Sequence, residues 1–406
     1  MHVLILSLWY YPEPVTKPHD LATELVDRGH TVSVVTGFPN YPTGVLYDGN
    51  NARSWQRDNI DGVNVVRIPV LIDRSRSGRR RIISYSSFTA SAIMAGVLLT
   101  PRPDVVWTYQ IGLPGIAIAS LRRSKLVHEV QDLWPEWALK GHMGVDGLAY
   151  RILDRQEKFI YSHADVVTTI SSGFKRKLIE KGVPGEKIEI IPNWANEQLF
   201  RPVVPDKHLA MREGLAGRFN IIYGGNIGSA QGLKNVLDVA DLLKDIPMVQ
   251  FVLVGDGVEK NRLAREAVER NIKNLRFMGS RSPDQMAHYY ALADALLLTL
   301  SRDPAYELTI PSKTYAYLAC GRPVLAAAAG DVTELIREIG AGLACNPEDP
   351  LALANIVRVM YHLPEAQRQA MGQRGRHAFI TRFTRQALGT RYEDLFAKIV
   401  ANKMSR

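Results

Sequence analysis

A glycine-containing stretch at 223–233, YGGNIGSAQGL, has the composition of a loop that binds phosphate. It follows an apolar, β-branched run and precedes a helical pattern, so we expect it to join a strand to a helix. Glycines such as Gly225 and Gly228 let backbone N–H groups approach an anion closely, and a helix N-terminus favours negative charge. A plain strand-to-helix turn is the alternative, and this stretch alone leaves both open.

Lys313 is predicted to lie in the first turn of another helix. Pro311 and Ser312 are typical of a helix start, and Gly321 is typical of a helix end. A cation in the first turn opposes the helix dipole, so it needs another reason, such as a bound anion. A solvated lysine is the simpler alternative for this residue alone, but the glycine-containing stretch in the same chain favours the anion.

A third candidate site is the stretch 127–136, VHEVQDLWPE, at the end of a predicted strand. Ligands of open parallel sheets bind outside the carboxyl ends of the strands, where Gln131 and Asp132 are expected. Carboxylates, amides and imidazoles there can hydrogen-bond a substrate or move a proton. Packing inside the strand is the alternative role of His128.

A basic run precedes an uncharged segment at 82–100. That segment has about the minimum length of a membrane span, but its serines favour a partly buried or interfacial helix. The run holds five arginines, Arg74, Arg76, Arg79, Arg80 and Arg81. A basic run beside an apolar helix favours contact with an anionic membrane surface. A solvated face is the alternative.

The elements that must hold these stretches alternate between short apolar runs and helical patterns, which indicates an α/β fold with doubly wound parallel sheets. In the first half, strands are predicted at 2–7, 31–36, 63–68, 104–107, 125–130, 166–170 and 188–191. In the second half, they are predicted at 219–223, 250–254, 275–277, 295–298 and 323–326. We therefore expect two Rossmann-like domains facing across a cleft, at 1–194 and 195–384, with a helix at 385–406 packing back on the first.

Composition limits the possible classes of protein. The 406 residues carry a formal net charge of +9, which favours anionic partners, and no nucleic-acid-binding motif accompanies it. Cys320 and Cys345 are the only cysteines and are expected to be reduced packing residues of a cytoplasmic protein. The start of the chain lacks the pattern of a signal peptide, and no Cys/His cluster has metal-ligand spacing.

Taken in order, the motifs resemble those of the retaining GT-B glycosyltransferases of family 4. The similarity is to the bacterial branch that builds O-antigen, lipopolysaccharide, capsule and colanic acid, including fucosyl- and N-acetylfucosaminyl-transferase-like proteins. The motifs that carry it are YPE at 11–13, RGHTV at 28–32, TGFPNYP at 36–42, QDLWPE at 131–136, IPNW at 191–194, GN at 225–226 with QGL at 231–233, VGDG at 254–257 and PSK at 311–313.

The resemblance implies a UDP- or GDP-sugar donor bound by the C-terminal domain, with its diphosphate on 225–228 and on Ser312 and Lys313. Its base would lie near Gly279 and Arg281. The N-terminal domain would bind a polyprenyl-diphosphate-linked or other membrane-held saccharide at the inner face of the plasma membrane. Transfer would retain the anomeric configuration through same-face attack. No metal or cofactor is expected, and no Asp-x-Asp motif occurs.

Several positions depart from the family pattern. Asn226 and Gln231 stand where the family often has Arg and Lys, so Lys234 or Lys313 is expected to supply the positive charge. The first glutamate of a two-glutamate motif falls near Leu308, beside Glu307, and the second falls on Ala316.

The histidine that the family often places near the reacting sugar aligns with Gln131. The resemblance thus makes Gln131, Asp132, His128 and Glu307 the candidate catalytic residues. Because of the departures, two alternatives remain at this stage. One is a non-catalytic GT-B protein that binds a nucleotide or a protein partner, and the other is a different GT-B enzyme such as an epimerase or phosphorylase.

Overall fold

The computed structural model describes residues 1–49, 52, 54–72, 78–133 and 147–404. The chain divides into two compact units. Unit 1 consists of Met1–Ile170, Phe174–Pro192 and Leu388–Arg406, and unit 2 consists of Ser171–Gly173 and Asn193–Ala387. Each unit has its own parallel-sheet core, so the predicted α/β class with two Rossmann-like domains is confirmed.

Unit 1 is built on an eight-stranded sheet in the order β3-β4-β2-β1-β5-β6-β7-β8. Its strands are β1 His2–Leu6, β2 Thr31–Gly37, β3 Gln56–Ile60, β4 Val63–Ile68, β5 Val105–Tyr109, β6 Lys125–Val130, β7 Val166–Thr169 and β8 Ile188–Ile190. The central strands are apolar because both of their faces are covered, as parallel sheets require. Strand β3 was not predicted, since its polar sequence QRDNI suits an exposed antiparallel edge rather than a buried strand.

The first helices of the chain cover the faces of this sheet. They are α1 Lys17–Asp27, α2 Gly78–Leu98, α3 Leu113–Arg122, α4 Leu148–His163 and α5 Ser172–Glu180. Helix α2 packs on α3, β2 and β4, and it buries Phe88, Ala92 and Ala95. Within the described part of the chain, none of the helices combines the length and apolarity that crossing a bilayer demands.

Unit 2 is built on a six-stranded parallel sheet in the order β11-β10-β9-β12-β13-β14. Its strands are β9 Phe219–Gly224, β10 Val249–Val254, β11 Leu275–Gly279, β12 Ala295–Thr299, β13 Val324–Ala327 and β14 Gly342–Cys345. Its helices are α6 Lys207–Arg212, α7 Lys234–Leu242, α8 Lys260–Glu269, α9 Pro283–Ala291, α10 Pro304–Glu307, α11 Ser312–Cys320, α12 Asp331–Ile339, α13 Pro350–His362 and α14 Glu365–Arg382. Strand β14 was not predicted, because GLAC is too short for a periodic signal.

The last helix, α15 (Arg385–Met404), belongs to unit 1 from Leu388 onward. Glu393 accepts hydrogen bonds from Arg28 and His30, each at 2.8 Å. A Cβ atom at Gly389 would lie 2.3 Å from Cγ of Glu24, so a side chain there would displace the Glu24 side chain from its place between α15 and α1. The end of the chain therefore forms part of the first unit.

Candidate functional site

The loop after β9 lies at the carboxyl edge of the unit 2 sheet. Gly225 is exposed and has a φ of +134°, and its N–H donates to the Val254 carbonyl oxygen of β10 at 3.0 Å. A Cβ atom at Gly255 would come within 1.9 Å of the Gly225 oxygen, so this neighbour must also be glycine. Glycine at both positions thus brings two loops together and leaves the main chain of Gly225 open to a ligand.

Lys313 lies beside this loop from the first turn of α11. Its Nζ donates to the Tyr223 hydroxyl at 2.6 Å and to Oε1 of Gln231 at 2.7 Å, and it lies 4.0 Å from the centre of the Tyr223 ring. Both partners are neutral. No carboxylate pairs with Lys313 in the parts of the chain that the structure describes. Burial without a counter-charge lowers the pKa of Lys313 to about 7.

Two tyrosines that were not predicted hold this arrangement in place. Tyr223 donates its hydroxyl hydrogen to the Asn226 carbonyl oxygen at 2.6 Å, which fixes the turn after β9. Tyr317 lies one turn after Lys313 on α11, is fully buried, and accepts from the Gly224 N–H at 2.9 Å. Lys313 and Tyr317 are spaced i, i+4 and therefore share one face of α11. This spacing is the sequence signal that could have identified Tyr317.

The other predicted residues of the loop are placed differently. The Asn226 side-chain nitrogen would lie 2.9 Å from a Cβ atom at Gly228, which is itself buried, so this side chain covers Gly228 and not Gly225. Lys234 is exposed at the first position of α7, and Ser312 is exposed at the first position of α11. Of the two lysines considered from sequence, Lys313 is therefore the one with hydrogen bonds to the loop residues.

Gly279 ends β11 and Arg281 follows it, and β11 lies two strands from β9. Gly279 has a φ of +69°, and its carbonyl oxygen accepts from the Gly255 N–H at 2.9 Å. Arg281 donates to the Tyr289 hydroxyl at 2.7 Å and lies 3.9 Å from Glu213. Neighbouring strands are about 4.8 Å apart, so these residues lie about 10 Å from the Lys313 loop along the same edge.

Glu307 is exposed and ends the short helix α10. A Cβ atom at Gly330 would lie 1.9 Å from the Glu307 carbonyl oxygen, so the Glu307 backbone is packed closely against that turn. The structure does not connect the Glu307 carboxylate to the Lys313 network by any hydrogen bond or ion pair among the described residues. Ala316 is buried in α11.

In unit 1, Glu129 accepts hydrogen bonds from several side chains near the candidate site, and the sequence did not predict this role. Its buried carboxylate accepts from Lys17 at 2.7 Å, from Gln131 at 2.6 Å and from the Tyr392 hydroxyl of α15 at 2.7 Å. The Thr168 hydroxyl also donates to it. Four donors satisfy this buried charge, and one of them fixes the side-chain amide of Gln131.

His128 points to the opposite face of β6 from Glu129, as strand alternation requires. It is buried, and its Nδ1 lies 2.8 Å from the Thr108 hydroxyl. Burial lowers the pKa of His128 to about 4, so its ring is neutral near pH 7. His128 therefore packs inside the sheet, which is the alternative that the sequence left open. The structure does not bring it to the carboxyl edge with Gln131.

Asp132 lies at the carboxyl edge and is half-buried. Its Oδ2 accepts from Nε2 of Gln110 at 2.8 Å, and burial raises the pKa of Asp132. Gln110 was not predicted to belong to the site. In the structure its φ is +63°, which is rare for a residue with a side chain. Trp134, Pro135 and Glu136 of the same motif lie outside the described residues.

Chemically, the unit 2 loop offers one ammonium group beside an exposed glycine main chain, which suits a diphosphate. The unit 1 edge offers hydrogen-bonding amides and a carboxylate. Of the residues that the structure describes, none form groups of three or more His, Cys, Asp or Glu side chains that could hold a metal ion.

Comparison with known proteins identifies the class. Residues 14–194 match the family model of the glycosyl transferase 4-like domain, and residues 212–378 match that of glycosyl transferases group 1. The putative colanic acid biosynthesis glycosyl transferase WcaI of Escherichia coli K12 is 30% identical over 390 residues, which cover 90% of this chain and 93% of WcaI. The chain therefore belongs to the family 4 glycosyltransferases, and it is an enzyme of this class.

Further relatives agree with this assignment. The probable glycosyltransferase WbjE of Pseudomonas aeruginosa is 32% identical over 237 residues, which cover 57% of this chain and 58% of WbjE. Sucrose-phosphate synthase of Thermosynechococcus elongatus superposes with a TM-score of 0.72 at 20% identity, covering 99% of both chains. HepE of Anabaena in complex with UDP superposes with a TM-score of 0.68 at 17% identity, covering 98% of this chain and 100% of HepE. These structures confirm the GT-B fold.

Proposed function

We propose that this glycosyltransferase moves a sugar from a UDP- or GDP-sugar to a lipid-linked saccharide in bacterial surface polysaccharide biosynthesis. In this proposal, unit 2 binds the donor and unit 1 binds the acceptor. Transfer retains the anomeric configuration and needs no metal ion. The observation that carries the proposal is the Lys313 ammonium group, which has two neutral partners and lies beside the exposed main chain of Gly225.

A nucleoside diphosphate gains negative charge as it leaves the donor sugar. A positioned cation in a partly dehydrated site stabilises that charge without reorganising during the reaction. Lys313 meets this requirement because Tyr223 and Gln231 hold its Nζ while leaving its charge uncompensated. The HepE complex with UDP, in the same fold, supports the choice of a nucleotide ligand.

The biosynthetic process is proposed from the relatives. WcaI is named for colanic acid biosynthesis, and TuaH of Bacillus subtilis, 24% identical over 219 residues, is named as a putative teichuronic acid biosynthesis glycosyltransferase. Both are bacterial polysaccharides. A fucosyl or N-acetylfucosaminyl donor is the finer proposal, and it rests only on the motif resemblance.

In unit 1, Gln131 and Asp132 are the proposed contacts to the reacting sugars. The Gln131 amide nitrogen donates to Glu129, so the amide has a fixed orientation relative to β6. Because the pKa of Asp132 is raised by burial, its carboxyl can hold or release a proton closer to neutral pH than an exposed aspartate can. We propose that Gln131 binds the acceptor or donor sugar and that Asp132 binds the acceptor hydroxyl.

A transfer assay tests this proposal. Purified protein is incubated in EDTA with UDP- and GDP-sugars, including GDP-fucose and UDP-N-acetylfucosamine, and with a polyprenyl-diphosphate-linked saccharide. We expect product with the donor's anomeric configuration by NMR, and we expect Lys313→Met to slow its formation about 100-fold or more. Product only after adding Mg²⁺ or Mn²⁺, or with inverted configuration, would refute the metal independence or the retention respectively.

Contact with an anionic membrane is a second part of the proposal, carried by α2. Its outward face has exposed side chains at every fourth position, namely Ile82, Ser86, Ala90, Met94 and Leu98. Arg80, at the start of α2, is exposed as well. The remaining arginines of the basic run either lie outside the described residues or have side chains that the structure does not describe. A partly apolar stripe beside a cation suits the headgroup boundary.

Vesicle pelleting tests the membrane contact. We expect the protein to bind phosphatidylglycerol vesicles at low salt and to bind neutral phosphatidylcholine vesicles more weakly. Replacing Ile82, Met94 and Leu98 by serine should reduce this binding, whereas replacing the exposed Val258 and Val268 of unit 2 should not. Equal binding of both vesicle types would contradict the proposal.

A further inference from the structure

The loops after β1 and β2 hold two aromatic side chains together at the carboxyl edge of unit 1. The ring centres of Trp9 and Tyr41 are 5.0 Å apart, with an angle of 45° between their planes. Trp9 is half-buried, and 37% of Tyr41 is exposed. Tyr and Trp are enriched at interfaces because each combines a large apolar ring with a polar group. We call this pair, Trp9 with Tyr41, the aromatic platform.

A buried carboxylate fixes the platform. Glu13 accepts the backbone N–H of Tyr10 at 2.9 Å, of Asn40 at 2.8 Å and of Tyr41 at 2.7 Å, so it ties the two loops to each other. Burial raises the pKa of Glu13, which shows that its position is electrostatically costly. Three backbone donors offset that cost. Their effect is to hold the backbone of Tyr41 rigidly beside the loop that carries Trp9.

The sheet order places the platform near the other polar groups of this edge. Strands β2, β1, β5 and β6 are consecutive neighbours, so the loop after β1 lies about 10 Å from the loop after β6. Tyr109 ends β5 between them. Burial raises the pKa of Tyr109, and Glu129, Asp132 and Tyr41 raise it further. The distance between the platform and Asp132 is thus comparable to the length of one or two sugar rings.

Tyr109 is half-buried, and no hydrogen bond of its hydroxyl is found within the described ranges of the chain. Gln110, the next residue, donates to Asp132 with its backbone at a φ of +63°. Such a backbone conformation is unfavourable for a residue with a side chain and is often found at binding sites. The Tyr109 hydroxyl and one oriented amide–carboxylate pair therefore accompany the platform.

We propose that the aromatic platform binds the ring face of an acceptor pyranose, while Tyr109 and the Gln110–Asp132 pair bind its hydroxyl groups. A pyranose presents an apolar face of C–H groups and an edge of hydroxyls, which match a ring face and neutral or anionic hydrogen-bonding groups respectively. The Glu13 charge is taken up by backbone N–H groups, so the platform itself suits an uncharged sugar. This inference rests on the proposed function, because it names the part of the acceptor that unit 1 recognises.

Saturation-transfer NMR with simple glycosides tests the inference without the lipid. The probes are the methyl glycosides of glucose, galactose, N-acetylglucosamine and fucose, added one at a time to the full-length protein. We expect saturation transfer to the ring C–H protons of at least one probe. Trp9→Ala and Tyr41→Ala should weaken its binding about tenfold, whereas Trp9→Phe should retain most of it. Tyr109→Phe should weaken binding by a smaller factor, since it removes one neutral hydrogen bond.

Phe159→Ala is the matched control. Phe159 is 48% exposed on α4, near the amino end of β7 and hence at the opposite edge of the sheet. It should leave glycoside binding unchanged. Circular dichroism and the melting temperature of each variant establish that unit 1 is folded, and Trp9→Phe keeps the test valid if an alanine variant unfolds.

UDP and GDP binding, measured on the same samples, separates this inference from the proposed function. Glycoside binding without nucleotide binding would refute the donor proposal and leave the platform standing. Unchanged glycoside binding in Trp9→Ala and Tyr41→Ala, or no transfer to any probe, would overturn the platform. Loss of nucleotide affinity in these variants would mean that the rings stack on a base, which would also overturn it.

Discussion

Each unit places a lysine at the carboxyl edge of its sheet, but the two lysines differ in whether a carboxylate pairs with them. Lys17 of unit 1 is buried and pairs with Glu129 at 2.7 Å. Lys313 of unit 2 is half-buried, and its hydrogen-bond partners within the described ranges are the Tyr223 hydroxyl and the Gln231 amide oxygen. Burial lowers the pKa of both lysines, but only in Lys17 does a neighbouring carboxylate oppose that shift.

The difference distinguishes a charge that is satisfied within unit 1 from the charge that we propose binds the donor. The Glu129 carboxylate has Lys17, Thr168, Tyr392 and Gln131 as donors, so this buried network is well satisfied. Among the residues that the structure describes, no carboxylate pairs with Lys313. A buried charge that is not paired destabilises the fold, so the arrangement around Lys313 is explained if an anionic ligand supplies the missing charge.

The largest effect is expected from removing the unpaired charge. Lys313→Met should lower kcat/KM for the donor by about 100-fold or more, because one electrostatic contact to a leaving group typically contributes that much. Steady-state kinetics with the active nucleotide sugar measure it. Lys234→Met is the control, since Lys234 is exposed and should change kcat/KM little. Equal losses of kcat/KM in the two variants would contradict a specific role of Lys313 in donor binding.

Removing the paired charge should act on stability. Lys17→Met leaves the Glu129 carboxylate buried without its cation, and we expect it to lower the free energy of unfolding of unit 1 by about 3 kcal/mol. Hydrogen exchange of the β6 amides measures this local stability. The double variant Lys17→Met with Glu129→Gln should lose less, because no buried charge remains. A double variant that is less stable than Lys17→Met would contradict this explanation.

Donor affinity should depend on pH near neutrality. Because burial lowers the pKa of Lys313 to about 7, its charged form is lost as the pH rises through that value, and binding of a diphosphate then requires uptake of a proton. We expect the dissociation constant for UDP or GDP to rise by up to about tenfold per pH unit above the pKa of free Lys313. Calorimetry over a pH series measures it. The same series on Lys313→Met should be flat over this range.

The same pKa shift makes a prediction about stability. The pKa of Lys313 is lower in the folded protein than in the unfolded chain, so the unfolded state binds more protons between those two values. The stability of the wild type relative to Lys313→Met should therefore rise with pH above about 7. Melting temperatures of both proteins across this range test the sign, and a relative stability that falls with pH would contradict it.

The smallest effect is expected from removing the Tyr223 hydroxyl, a neutral hydrogen-bond partner of Lys313. Tyr223→Phe removes one hydrogen bond to Nζ and the hydroxyl bond to the Asn226 carbonyl oxygen, while the ring below the ammonium group stays. We expect donor affinity to fall about three- to tenfold, because the charge of Lys313 and its bond to Gln231 remain. Tyr361→Phe, on α13 of the same unit, is the control. A loss as large as that of Lys313→Met would mean that Tyr223 itself binds the donor.

The sequence predicted the parallel strands well because they are continuous apolar runs, and it marked Lys313 because a cation is unusual in a first helical turn. It could not predict partners that are distant in sequence. Tyr392 donates to Glu129 across 263 residues, and nothing in either local pattern indicates that contact. Strand β3 was missed because an exposed edge needs no apolar pattern. His128 was named because of its residue type, yet strand alternation turns it away from Glu129 and into the core.

The most direct test is the number of protons taken up when UDP or GDP binds, measured by calorimetry in buffers of different ionisation enthalpy. The measurement is made in EDTA, about one pH unit above the pKa of Lys313. Wild-type protein should bind the nucleotide with uptake of close to one proton, whereas Lys313→Met should bind far more weakly and take up none. Equal affinity in the two proteins, or wild-type binding without proton uptake, would contradict the assignment of Lys313 as the group that binds the diphosphate.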